Sequence, residues 1–303
     1  MITLLKTALP VFLALALGML CRSKGFLNRD GVDTLKKVVV NLTLPAVLLN
    51  AFATAEYSLS TMAMPVLMFL LCCLALALGM LAVRLFGIKS RLVPFLMSGC
   101  EAGMLGYALF VMLFPDKSIS GFAMLDLGQT LFVFTLYKVL LSGKREWKVI
   151  ISDMIHSPVL WAVFAGVLLG ATGLYQAMGQ FRDVMKSVTD FISAPTGMII
   201  LLTVGFDLVM DQIPWKKVVG LIGIRLAIMA ICFGVAVLLN RTVLHGLIFE
   251  GAALLMAILP PPYVIPVFAD EPEERVQISS SLSAMTLVTM VLFGVLSLAI
   301  SMI

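Results

Sequence analysis

The chain alternates between long apolar runs and short polar links. The runs predict about ten helical spans, at about 2–21, 35–53, 62–86, 93–114, 121–142, 157–174, 188–210, 216–239, 246–268 and 277–302. A helix needs roughly 20 apolar residues to cross the hydrocarbon core of a bilayer, and the runs are of that order. Their apolar positions are continuous rather than alternating, which argues against a β-barrel. Ser157 and Pro158 open the sixth run as a capping serine and a first-turn proline. The apolar run after Lys6 continues into Arg22 and Lys24 without a small-residue cleavage site, so it reads as a first span rather than a removed signal.

Two runs break their own pattern. Residues 98–114, SGCEAGMLGYALFVMLF, carry an acid, Glu101, and three glycines, Gly99, Gly103 and Gly106. An acid in hydrocarbon costs roughly 2.5–3.5 kcal/mol on insertion scales, and each glycine weakens a helix by about 1 kcal/mol relative to alanine. Irregular backbone at membrane depth is tolerated where it lines a water-filled cavity or is buried in protein. This stretch is therefore expected to be a broken helix at a solute site. Its counterpart lies in the ninth run, where Pro260, Pro261, Pro262 and Pro266 put four prolines into seven residues. Each removes a backbone donor and clashes with the preceding turn, so an α-helix cannot pass through.

The two breaks fit a repeat. GMLC from Gly18 is followed by a polar turn, an approach and Pro45; GVLL from Gly166 is followed by a polar turn, an approach and Pro195. Pro45 and Pro195 stand 150 residues apart. An odd number of spans, five, separates the copies, so the second enters the membrane inverted, as in many secondary transporters. The chain thus reads as a single transmembrane domain over 1–303, with inverted repeats at about 1–145 and 150–303.

Composition agrees. Only 13% of the 303 residues are charged and 61% are hydrophobic, against roughly 25% charged in soluble domains. No long polar segment offers a separate soluble domain, which leaves a receptor or scaffold without a part to signal through. Fifteen of the Lys and Arg residues fall in the links around 22–37, 84–91, 138–148, 216–217 and 275, and five on the opposite side, Lys6, Lys117, Arg182, Lys186 and Arg241. Basic links face the cytoplasm, so both termini are expected outside a multi-pass cell-membrane protein. The net charge of +4 follows from this loop bias and does not suggest nucleic acid. The five cysteines show no metal-ligand spacing; no metal or cofactor is expected.

Three strings, NLTLPAVLL from Asn41, EAGMLGYAL from Glu101 and LPPP from Leu259, resemble the auxin efflux carrier family, which includes bacterial malonate and malate carriers and the plant PIN proteins. The resemblance runs the length of the chain. It implies an all-α fold of ten transmembrane helices in a five-plus-five inverted repeat, with helices four and nine broken and crossing near the midplane. It also implies a scaffold bundle able to form a homodimer, and carriage of organic anions. By motif position, Asn41 and Pro45 match the second-span signature, and Gly103 and Gly106 the crossover glycines. Two positions depart from the family: Glu101 stands where asparagine is common, and Ala108 where proline is common.

The expected substrate-binding set is Asn41, Pro45, Glu101, Gly103, Gly106, Pro195, Pro260, Pro261, Pro262 and Arg225. Half-helix starts expose unpaired N–H groups with partial positive charge, which attract carboxylates. A fixed negative charge at Glu101 would repel the same ligand, so Glu101 is expected to take up and release a proton, since desolvation disfavours a buried carboxylate. Arg225, inside the eighth span, is expected either to pair with Asp207 or to reach Glu101 or a substrate carboxylate. Asp126, Gln129 and Thr130 are set by the repeat against Ser283 and Thr286, as helix-to-helix bonds. Glu250 suits a helix start. The function this supports is secondary transport of small organic anions by alternating access, with a cation- or sodium-coupled carrier of another solute as the alternative. The chain does not read as an enzyme: an intramembrane serine hydrolase needs a base, and His156 and His245 lie at span ends. A channel lacks its repeated filter loop or charge ring.

Overall fold

The structure is a computed structural model, and it describes residues 2–58, 60–142, 152, 155–208, 213, 215–268 and 271–301. Among these residues there is no strand. In chain order the helices are α1 (Ile2–Ser23), α2 (Arg29–Val38), α3 (Leu44–Ala53), α4 (Ala63–Leu85), α5 (Val93–Leu96), α6 (Tyr107–Leu113), α7 (Ile119–Phe132), α8 (Lys138–Ser142), α9 (Pro158–Ala171), α10 (Leu174–Ala177), α11 (Phe181–Ser193), α12 (Thr196–Asp207), α13 (Trp215–Thr242), α14 (Glu250–Ile258) and α15 (Pro272–Ser301). Lys144, Arg145 and Lys148, counted in the charge bias, lie outside the described residues.

Side chains fix several helix starts. Asn28 accepts from the Gly31 amide at 2.8 Å before α2, Ser118 caps α7, and Ser157 caps α9 with Pro158 at its first position. Five-residue π turns join α2 to α3 (Val39–Thr43) and α7 to α8 (Val133–Tyr137). The first answers Pro45. A proline has no N–H for the carbonyl four residues back, and the wider turn carries the Leu44 amide to Val39 instead.

Among the described residues, six helical stretches are long and apolar enough to cross a membrane: Arg29–Ala53, Ala63–Leu85, Ile119–Leu141, Phe181–Asp207, Val218–Thr242 and Glu273–Ile300. Leu9–Ser23 and Pro158–Ala171 are apolar and shorter. The second and seventh runs begin earlier than the sequence expected, because the amphipathic α2 and α11 lead into them. The runs at 93–114 and 246–268 are interrupted, as expected of them.

The helices pack in two groups. In the first, α9 lies along α3 and α1 along α12, with α11 also against α3. In the second, α4 packs on α7 and α13, and α14 sits between α13 and α15. The pairings in the first group are backbone-close. A Cβ on Gly205 of α12 would collide with the Leu15 backbone of α1, and one on Gly18 with the Leu202 carbonyl. On the other pair, Gly166 and Gly170 of α9 meet the Leu49 and Phe52 carbonyls of α3. Small residues let membrane helices approach in this way. The groups touch where α6 faces α12 and α1, where α3 meets α7, and where α15 runs beside α1.

Candidate functional site

The two interruptions meet inside the second group. After α5 the chain leaves the helix through residues 97–101, turns at Gly99 with φ +66°, and re-enters through a π turn, Ala102–Gly106, into α6. A left-handed φ is cheap only for glycine, and a Cβ there would lie 3.1 Å from Pro262. On the other segment, α14 stops at Leu259, which is extended, and the chain passes through the three prolines to a 3₁₀ turn, Ile265–Phe268.

Each break supplies the hydrogen bonds that the other has lost. The Glu101 amide donates to the Pro260 carbonyl at 2.8 Å. In return, the Tyr263 amide donates to the Glu101 carboxylate at 2.7 Å. Gly106 allows the approach, since a Cβ there would lie 2.8 Å from Leu259 and 2.9 Å from Phe122. Gln129 brackets Cys100, accepting from its amide at 2.6 Å and donating to its carbonyl at 2.5 Å. Tyr137 donates to the Phe95 carbonyl at 2.9 Å, and Thr289 to the Ile258 carbonyl at 2.6 Å.

Arg225 of α13 ties both breaks together. Its guanidinium donates to the Leu96, Gly99 and Leu259 carbonyls at 2.6, 2.9 and 2.8 Å, and the residue is only 3% exposed. Carbonyls released at broken helix ends carry partial negative charge, and a planar fork of five donors can serve several of them at once. Of the alternatives expected for Arg225, the pair with Asp207 does not form. Asp207 ends α12 in the first group and pairs instead with Arg29, at 2.5 Å, and with Lys36. Arg225 and Asp207 sit on different groups of helices, so each finds a nearer partner.

The other expected site residues fall into two sets. Glu101, Gly103, Gly106, Pro260, Pro261 and Pro262 come together at the breaks, with the three prolines buried. Gly103 is open on the side of the first group, where the nearest atom to a Cβ would be Leu44 Cδ2 at 3.5 Å. Asn41, Pro45 and Pro195 lie on that first group. Asn41 is exposed and donates to the Lys37 carbonyl at 2.8 Å; Pro45 starts α3 and Pro195 precedes α12. Asp126 and Gln129 do not bond to Ser283 or Thr286 as the repeat suggested. Asp126 accepts from Tyr107 at 2.9 Å, and Thr286 meets the Tyr263 hydroxyl at 3.1 Å. Glu250 does lie in the first turn of α14, where Arg241 holds its carboxylate through two bonds of 2.9 Å.

A cavity of about 590 Å³ reaches this junction from the side of the basic links. Arg29, Lys36, Arg275 and Asp207 line it, with Tyr263 and the hydroxyls of Ser279, Ser280, Ser283 and Thr286. Small-molecule sites typically occupy roughly 300–1,000 Å³. The sequence reading missed this cavity, because its walls come from α2, α12 and α15, which are far apart in the chain.

A multi-pass membrane protein with two interrupted segments joined beside a polar cavity is of the transporter class. The comparisons agree. A sequence model of the family described as membrane transport protein matches residues 3–149. An uncharacterized transporter of Methanothermobacter thermautotrophicus is 25% identical over 210 residues, which cover 67% of each chain. Both matches support a transmembrane transporter, and they imply a role other than catalysis.

Proposed function

We propose that this chain is a secondary carrier of small organic anions that works by alternating access, with the junction of the two breaks as its solute site. The observation that carries the reading is the polar cavity, which presents three cations against one carboxylate and ends at Tyr263, whose amide holds Glu101. In the arrangement described here the site is open to the basic side, which we take as cytoplasmic, with both termini outside the cell membrane. The reading includes ten spans in a five-plus-five inverted repeat and a homodimer through the first group of helices. The glycine contacts support the repeat: Gly18 abuts the Leu202 carbonyl and Gly170 the Phe52 carbonyl. The two carbonyls stand as far apart in the chain as Pro45 and Pro195 do. The auxin efflux carrier resemblance supports the same architecture and the anion class.

Glu101 occupies a donor that a substrate carboxylate would also want. Protonation of Glu101 would weaken its hold on the Tyr263 amide and free that amide for the solute, because a hydrogen bond to a charged acceptor is roughly twice as strong as one to a neutral acceptor. Transport would then be coupled to protons. The test is a thermal-unfolding screen of the purified protein with malonate, malate, lactate and an indole acid at two pH values. A ligand at 100 times its Kd stabilises by about 2.7 kcal/mol. At least one carboxylate is expected to stabilise, more strongly at the lower pH; no stabilisation by any of them would reject the anion reading. In proteoliposomes, Glu101→Gln is expected to abolish the response of uptake to an imposed pH gradient, and an unchanged response would reject the proton role.

A further inference from the structure

One face of α15 runs polar along the cavity wall. Arg275, Ser279, Ser283 and Thr286 all line the cavity, and their spacing of four, four and three residues puts them on a single side of a helix. Together they span about 16 Å at 1.5 Å per residue. Exposure falls along the row: Arg275 and Ser279 are exposed, Ser283 is half-buried, and Thr286 is 2% exposed. The row ends where Thr286 meets the Tyr263 hydroxyl, one residue from the prolines and on the residue whose amide binds Glu101.

Hydroxyls inside membrane helices often only join one helix to another, and α15 has such residues elsewhere. Thr289 holds the Ile258 carbonyl, and Ser281, fully buried, turns back to the Gln277 carbonyl of its own helix. Ser279 and Ser283 face the cavity instead. At its mouth stand Arg29, Lys36 and Arg275, with Asp207 bonded to the first two. Glu273 and Glu274 begin the same helix but do not line the cavity, and Glu274 accepts from Ser90 at 2.8 Å.

We propose that this face of α15 is the track by which a hydrophilic anion descends from the basic side to the junction, with Arg29, Lys36 and Arg275 drawing it in. The proposal rests on the carrier reading and deepens it. A solute that carries a hydroxyl or second carboxylate beside its first suits a row of hydroxyls better than a purely apolar acid does. Three cations against the single Asp207 carboxylate leave the lining net positive, and a net charge around a low-dielectric cleft raises the local concentration of the opposite ion by about tenfold or more.

The test uses two thiol reagents of similar size and opposite charge, the anionic sulfonatoethyl and the cationic trimethylammonioethyl methanethiosulfonates. Each is added to one side of sealed vesicles holding the full-length chain, and modification is read by intact mass above the wild-type background. Ser279→Cys and Ser283→Cys are expected to react from the basic side only. The anionic reagent should be favoured by about tenfold over its ratio on a free small thiol, and Arg275→Gln or Lys36→Gln should bring that ratio towards the free value. Ser281→Cys, on the far face, should stay unmodified. Failure of Ser283→Cys to react while Ser279→Cys does, or faster reaction with the cationic reagent, would overturn the track. Because no substrate is used, that failure would be distinct from failure of the carboxylate screen.

Discussion

Arg225 holds three backbone carbonyls from two distant segments because a guanidinium presents five donors in one plane. A lysine keeps the charge but not the fork. Arg225→Lys is therefore expected to lose at least one bond worth roughly 1.5–3 kcal/mol and to lower the thermal midpoint of the detergent-solubilised protein. An unchanged midpoint would show that the three contacts are not stabilising. Arg225 is also separate from Asp207, which has Arg29 and Lys36 as partners. In a double-mutant cycle of Arg225→Lys with Asp207→Asn, the effects should add within about 0.5 kcal/mol; a larger coupling would restore the direct pair. Sequence alone marked Arg225 as a charge that needed a partner. It could not say that the partner was backbone, because the Leu96, Gly99 and Leu259 carbonyls are common to all residues and become available only when the helices break.

At the scale of elements, the interruptions were legible and the way they are stitched was not. Glycines and prolines state directly that a helix cannot continue, so breaks within residues 98–114 and 259–266 could be read. That the Glu101 amide meets Pro260, and the Tyr263 amide meets Glu101, depends on how two segments far apart in sequence cross. The π turn before Pro45 was also hidden, since propensity does not distinguish a wide turn from an ordinary one. The helix contacts give an ordered prediction. Gly205→Ala would drive a methyl group into the Leu15 backbone, whereas Gly103→Ala meets only Leu44 Cδ2 at 3.5 Å. Overpacking typically costs roughly 1–3 kcal/mol. Gly205→Ala should thus reduce the yield of folded, monodisperse protein clearly more than Gly103→Ala, as judged by size-exclusion chromatography, and the reverse order would contradict the packing.

For the whole molecule, the two groups of helices carry different parts of the expected site. The second group holds both breaks, pinned together by Arg225 and by the bonds of Glu101 to Pro260 and Tyr263; the first holds Asn41, Pro45 and Pro195. Alternating access on this plan requires relative movement where α6 faces α12. There, a Cβ on Gly197 would lie 3.6 Å from that of Ala108, inside the roughly 3.5–4.5 Å range of disulfides. The most direct measurement is carboxylate uptake by proteoliposomes holding the Ala108→Cys, Gly197→Cys double variant, before and after reduction. The oxidised, cross-linked protein is expected to take up none of the carboxylates that the reduced protein transports, and a reductant is expected to restore uptake. Equal uptake by the fully cross-linked and the reduced protein would contradict this expectation.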